Sequence, residues 1–85
     1  MNKKKFLMKI FNNQKNVNFS NFVTLIKAFN FISTSSKGSH FVYKHDNIPN
    51  ALNVQNKNGE AKPYQVKQFL TMIENYNLKL EDENE

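Results

Sequence analysis

The stretch Phe31-Ile32-Ser33-Thr34-Ser35-Ser36-Lys37-Gly38-Ser39-His40-Phe41-Val42-Tyr43-Lys44-His45 decides the fold of this chain. Upstream of it, apolar residues recur at helical spacing. From Phe31 they fall in short segments rich in β-branched and aromatic side chains. Phe31–Ser35 predicts one strand and Ser39–His45 a second, joined as a hairpin through Lys37-Gly38, where glycine is free to take positive φ. Strand alternation puts His40, Val42 and Lys44 on one face and Phe41, Tyr43 and His45 on the other. Two aromatics mark the second face as the one that meets the helices. His40 and Lys44 are then left on the open face.

Upstream, Phe6, Leu7, Ile10 and Phe11 make one helical stripe and predict a helix over residues 3–13. An Asn-rich stretch at 12–18 breaks it. A second helix is expected from Ser20, a good N-cap, to about Asn30, with Phe22, Leu25, Ile26 and Phe29 as its buried stripe. Downstream, Asp46–Asn50 is turn chemistry, and Ala51–Gln55 predicts a third strand with Leu52 and Val54 on one face. Asn58-Gly59 is a strong turn signal. Pro63 opens a last helix, whose stripe is Val66, Phe69, Leu70, Ile73 and Tyr76/Asn77. The order α-α-β-β-β-α defines an α+β fold: a three-stranded antiparallel sheet with helices on one face.

Length sets the scale. The 85 residues make one domain with one modest core, because folding at this size buries little over ~60% of the chain's surface. Its expected core runs over about 19–78, with residues 1–17 an extra helix and connection and 81–85 an acidic tail. Hydrophobic residues are 39% and charged residues 22%, a globular balance rather than a disordered one. The net charge of +5 conceals a split. Residues 1–80 hold twelve Lys against Asp46, Glu60 and Glu74, a net +9, and the last five residues carry −4. Such a body wants an anionic partner: RNA, DNA or an acidic protein.

The residue inventory excludes several functions. Cysteine is absent, so disulfides and Cys-rich zinc sites are excluded, in keeping with a reducing cytoplasm, the expected location. Lys9 interrupts the apolar start at Phe6–Phe11, which fails as a secretory leader, and no run approaches a membrane span. Fifteen Asn and no Arg read as compositional bias of the kind a genome poor in G and C produces. With three acids in the body, paired-carboxylate glycosidases and carboxylate-bound two-metal nucleases lack their ligands. No glycine-rich phosphate loop occurs. Neither metal nor small-molecule cofactor is expected.

What remains is histidine and lysine. A free imidazole, with a pKa near ~6.5, exists in both states at neutral pH. Beside a ribose 2′-OH, His40 can take the proton so that the oxygen attacks the adjacent phosphate. Lys37 or Lys44 can offset the negative charge that builds up. The plain alternative is that His40 and Lys44 are ordinary surface residues of a soluble sheet. His45, on the inner face beside a turn, reads as structural, its ring bonded to a turn backbone group. A second basic cluster, Lys57, Lys62, Pro63, Tyr64, Gln65 and Lys67, surrounds the start of the last helix, where free N–H groups suit a phosphate and Tyr64 a base. The plain alternative there is a helix entry with Tyr64 as a packing residue.

With Lys37-Gly38-Ser39-His40 between two strands, and Gly59-Glu60-Ala61-Lys62-Pro63-Tyr64-Gln65-Val66 leading into the final helix, the chain resembles HicA-type toxins. These are small bacterial mRNA interferases of type II toxin–antitoxin pairs. The resemblance runs from about Phe19 to Leu78 and includes the helix end Ala28-Phe29-Asn30-Phe31. It implies a fold similar to double-stranded-RNA-binding domains and metal-independent endonucleolytic cleavage of mRNA, with His40 as the catalytic residue. It also implies a HicB-type antitoxin that covers the histidine and usually binds DNA to repress its own operon. Strand geometry adds the Lys37-Gly38-Ser39 turn and Lys44 as RNA contacts, and the second cluster adds Lys62 and Tyr64. The chain departs from the pattern at Phe41, where many relatives carry a second histidine, and in lacking Arg. Two rivals stand beside it: a non-catalytic RNA-binding module on the same fold, and a protein-binding domain whose basic face docks an acidic partner.

Overall fold

The computed structural model describes residues 1–80. The expected acidic tail, 81–85, lies outside the described residues. The elements in chain order are α1 (Lys3–Asn12), α2 (Phe19–Ala28), β1 (Ile32–Lys37), β2 (His40–His45), β3 (Ile48–Lys57), β4 (Glu60–Ala61) and α3 (Pro63–Asn75). The strands form one antiparallel sheet in the order β1-β2-β3-β4, packed on its inner face against the helices. The α+β reading holds, with one correction: the sheet has four strands, not three. Glu60-Ala61 is too short to carry an alternating pattern. It joins the sheet because Asn58 (φ 54°) and Gly59 (φ 87°) both take positive φ, the requirement of a tight hairpin turn.

Two-residue turns link all neighbouring strands, and they correct the expected boundaries. Lys37 pairs with His40, so the first turn is Gly38-Ser39 rather than Lys37-Gly38. Its positive φ falls on Gly38 alone (60°), the arrangement of a turn that favours glycine at its first central position. β3 begins at Ile48, not Ala51, because His45 pairs with Ile48 across Asp46-Asn47. Phe31 belongs to no strand. It is buried in the core just after α2.

Asparagine shapes the helix ends. Asn2 Oδ1 accepts from Lys5 N at 3.0 Å, and Asn18 Oδ1 accepts from Asn21 N at 2.9 Å. Asn18 therefore caps α2 two residues before Ser20, and Phe19 turns inward. Asn30 (φ 71°) and Asn77 (φ 52°) take the left-handed position that usually goes to glycine. Behind Asn77, Leu78 N donates to Ile73 O at 2.9 Å and closes α3. Asn77→Ala is expected to lose about 1 kcal/mol to backbone strain, roughly 4–8 °C in Tm. Asn77→Gly is expected to stay within a few tenths of a kcal/mol, its relief of strain offset by unfolded-chain entropy. Thermal unfolding checks both. The abundant Asn that reads as compositional bias is thus also the chain's corner residue.

The core is one cluster. Phe22, Leu25, Ile26 and Phe29 of the α2 region meet Val66, Phe69, Leu70 and Ile73 of α3 over Tyr43, Leu52 and Val54 of the sheet. Phe69 stands at its centre, edge-on to Phe22 at 5.5 Å, Phe29 at 5.7 Å and Phe31 at 5.7 Å. α1 joins through buried Ile10, with Phe6 and Leu7 packed alongside, while Phe11 of the expected stripe is 39% exposed. The segment before α2 covers the outer edge of β4: Phe19 N donates to Gly59 O, and Ala61 N to Val17 O, both at 2.9 Å. No helix is long and apolar enough to cross a membrane among the described residues.

Candidate nucleic-acid interface

The inner face of β2 is fixed by its aromatics. The Phe41 ring lies 5.4 Å from that of Phe19, at the start of α2, and Tyr43 is buried. Burial pushes the Tyr43 phenol above its ordinary value, which keeps it neutral. His40, one residue before Phe41, therefore projects from the helix-free face, where it is exposed.

Register supplies its neighbours. Lys37 lies directly across on β1 and Gln55 directly across on β3, roughly 5 Å away by the spacing of paired strand residues. Asn56 N donates to Ser39 O at 2.9 Å, so the next pair, His40 and Gln55, is a non-hydrogen-bonded one, in which side chains stand closer. Lys57 is two residues beyond Gln55 on the same face, roughly 7–8 Å diagonally from His40. Sequence reasoning grouped Lys57 with the helix start and missed its place beside His40, because that place depends on the β2–β3 register. Lys44 shares the open face but lies four residues along β2, about 13 Å away at strand rise. It stands opposite Ile32. Lys37 and Lys57 can reach a phosphate held at His40, whereas Lys44 can reach only a different one.

His45 is separate. Its Nδ1 accepts from Asn47 N at 3.1 Å, and its ring lies 5.1 Å from that of Phe31. Both contacts hold the Asp46-Asn47 turn against the core, the structural role its position suggests.

The second cluster divides. Lys57, Lys62, Pro63 and Tyr64 line an open cleft of about 580 Å³, together with Asn58, Glu60 and Ala61. Tyr64 is 65% exposed. Lys62 is the N-cap of α3 and makes no side-chain cap, but Pro63 has no N–H and the N–H groups of Gln65 and Val66 both donate to Lys62 O, which leaves Tyr64 N–H as the open donor of the first turn. Glu60 brings a negative charge among these lysines. Gln65, grouped with this cluster by its sequence neighbours, is buried, and Lys67 does not line the cleft. The antiparallel order brings the Gly38-Ser39 turn, the Asn58-Gly59 turn and the start of α3 to one end of the sheet. His40 and the cleft therefore share that end.

Such an arrangement offers an exposed imidazole flanked by lysines, with an aromatic ring and a helix start nearby. Among the described residues, no three His, Asp or Glu converge as a metal cage would require. No curated protein and no solved structure matches the chain. The family model of the HicA toxin of bacterial toxin–antitoxin systems matches residues 19–74, which takes in α2, the whole sheet and nearly all of α3. That match leaves α1 outside it. With more than half of its length matched, the chain belongs to the HicA toxin family.

Proposed function

We propose that this toxin is a metal-independent endoribonuclease acting on mRNA, with His40 as its catalytic residue. The observation that carries the reading is the exposure of His40 on the helix-free face, with Lys37 directly across from it. His40 takes the proton of a ribose 2′-OH. The 2′-oxygen then bonds to the adjacent phosphorus, and the bond from phosphorus to the 5′-oxygen breaks. The products are a 2′,3′-cyclic phosphate and a 5′-hydroxyl, whose proton comes from the imidazolium or from water. Lys37 and Lys57 offset the added charge on the phosphoryl oxygens. Lys44 grips a neighbouring phosphate. The Gly38-Ser39 turn sets the edge over which the backbone of the RNA passes, and Lys62 and Tyr64 hold the strand beyond it. The proposed inhibitor is a HicB-type antitoxin that covers the His40 face.

Incubating the purified protein with RNA in excess chelator tests this. Cleavage is expected to persist. Salt-sensitive binding without cleavage would replace the reading with a non-catalytic RNA-binding module, and no affinity at moderate salt would point to a protein-binding domain. In the same assay, Lys44→Ala is expected to weaken RNA binding and flatten the log–log salt slope by about 0.7, leaving kcat unchanged.

A further inference from the structure

Gln65 is the buried polar side chain among the described residues, 5% exposed at the first turn of α3. Its burial follows from how the sheet ends. β4 stops at Ala61, paired with Asn56, one residue short of Gln55. Gln55 N–H points away from β2 and so loses the partner that a longer β4 would have given it. Gln65 Oε1 accepts from Gln55 N at 2.8 Å and fills that place. An amide has one accepting end and one donating end, so this bond also fixes Nε2. Gln65 Nε2 donates to Tyr64 Oη at 3.2 Å. The Tyr64 oxygen thus accepts inside the protein and keeps its own proton free to donate outward, from a ring that is 65% exposed.

The residue that Gln65 holds is the one paired with His40. We propose that Gln65 is a positioning residue: its buried amide locks the first turn of α3, with the Tyr64 ring on it, to the strand residue opposite His40. RNA gripped by Tyr64 and Lys62 is then presented to His40 at a fixed offset. The inference rests on the ribonuclease reading above and adds the element that couples grip to cleavage. Without the amide, Tyr64 loses its hydrogen bond and the first turn of α3 loses its hydrogen-bonded tie to β3. RNA still binds, but its scissile phosphate no longer dwells at the imidazole.

Wild type, Gln65→Leu, Gln65→Glu and Tyr64→Phe are compared on one short RNA, well below each variant's Tm so that all are folded. Gln65→Leu is expected to lower kcat at least tenfold while RNA affinity changes less than threefold. Amide hydrogen exchange at Gln55 is expected to rise at least tenfold in the same variant. Gln65→Glu keeps an acceptor for Gln55 N, so it is expected to restore slow exchange. Its carboxylate, however, takes the Tyr64 proton inward, so its kcat should match that of Tyr64→Phe. Gln65→Leu with unchanged kcat overturns the proposal while leaving the ribonuclease reading intact. So does a loss in affinity alone. A wild type that binds RNA without cutting it overturns that reading and this proposal together.

Discussion

His40→Ala is expected to abolish growth arrest on induction and to lower RNA cleavage by about 10²–10⁴-fold, the usual contribution of a positioned acid or base. The fold is expected to survive, because the His40 side chain is exposed and supports no buried contact. Surface truncations of this kind stay within about 0.5 kcal/mol. His45→Ala is the matched control. It removes the acceptor for Asn47 N and the ring against Phe31, so it should cost about 1 kcal/mol of stability and leave cleavage nearly intact. Growth assays, cleavage rates and thermal unfolding on the two variants separate the histidines. Full toxicity from a well-expressed His40→Ala protein would remove His40 from the chemistry.

Phe69→Ala is expected to have the largest effect on stability. The ring is fully buried and meets Phe22, Phe29 and Phe31, so one residue of α3 joins α2 to the entry of the sheet. Removing it costs about 3–5 kcal/mol in lost transfer energy and cavity. A chain of this size has roughly 4–13 kcal/mol in total, at the usual stability per residue. The variant should therefore be largely unfolded at 37 °C, or unfold at a much lower denaturant midpoint. Phe69→Leu keeps most of the volume and should recover much of the loss. A Phe69→Ala unfolding free energy within about 1 kcal/mol of wild type would mean that the surrounding rings close over the gap, and the cluster would then not depend on its centre.

Much of this was legible in the residues because apolar patterning is a local signal. The stripe Phe22, Leu25, Ile26, Phe29 is buried as its spacing predicts. Phe41 and Tyr43 mark the inner face of β2, so the exposure of His40 follows from parity alone. Features that depend on strand pairing were not legible. The turn at Gly38-Ser39 differs by one residue from the expected one, because either placement gives glycine its positive φ. The diagonal from His40 to Lys57 exists only once the β2–β3 register is set, and that register shifts between Tyr43 and His45. Gln65 stands among Lys62, Pro63, Tyr64 and Lys67 and reads as a surface residue. Its burial follows from β4 ending after two residues, which no single-residue propensity encodes. The left-handed asparagines were hidden differently: a residue abundant everywhere carries little information at any one position.

The two-residue turns between strands have a consequence in time. Lys37, His40, Gln55 and Lys57 all lie within a run of hairpins whose partners are sequence neighbours, so little loop entropy opposes their pairing. Lys37, His40, Gln55 and Lys57 are thus all joined to the chain before α3 begins. A sheet without a helix against its apolar face is marginal in water, however, and Phe69 arrives only with α3. The nascent toxin therefore carries His40 and its flanking lysines but no lasting site until its last helix docks. Synthesis itself imposes a delay, and a chain cut short before Phe69 is expected to cause no growth arrest on induction.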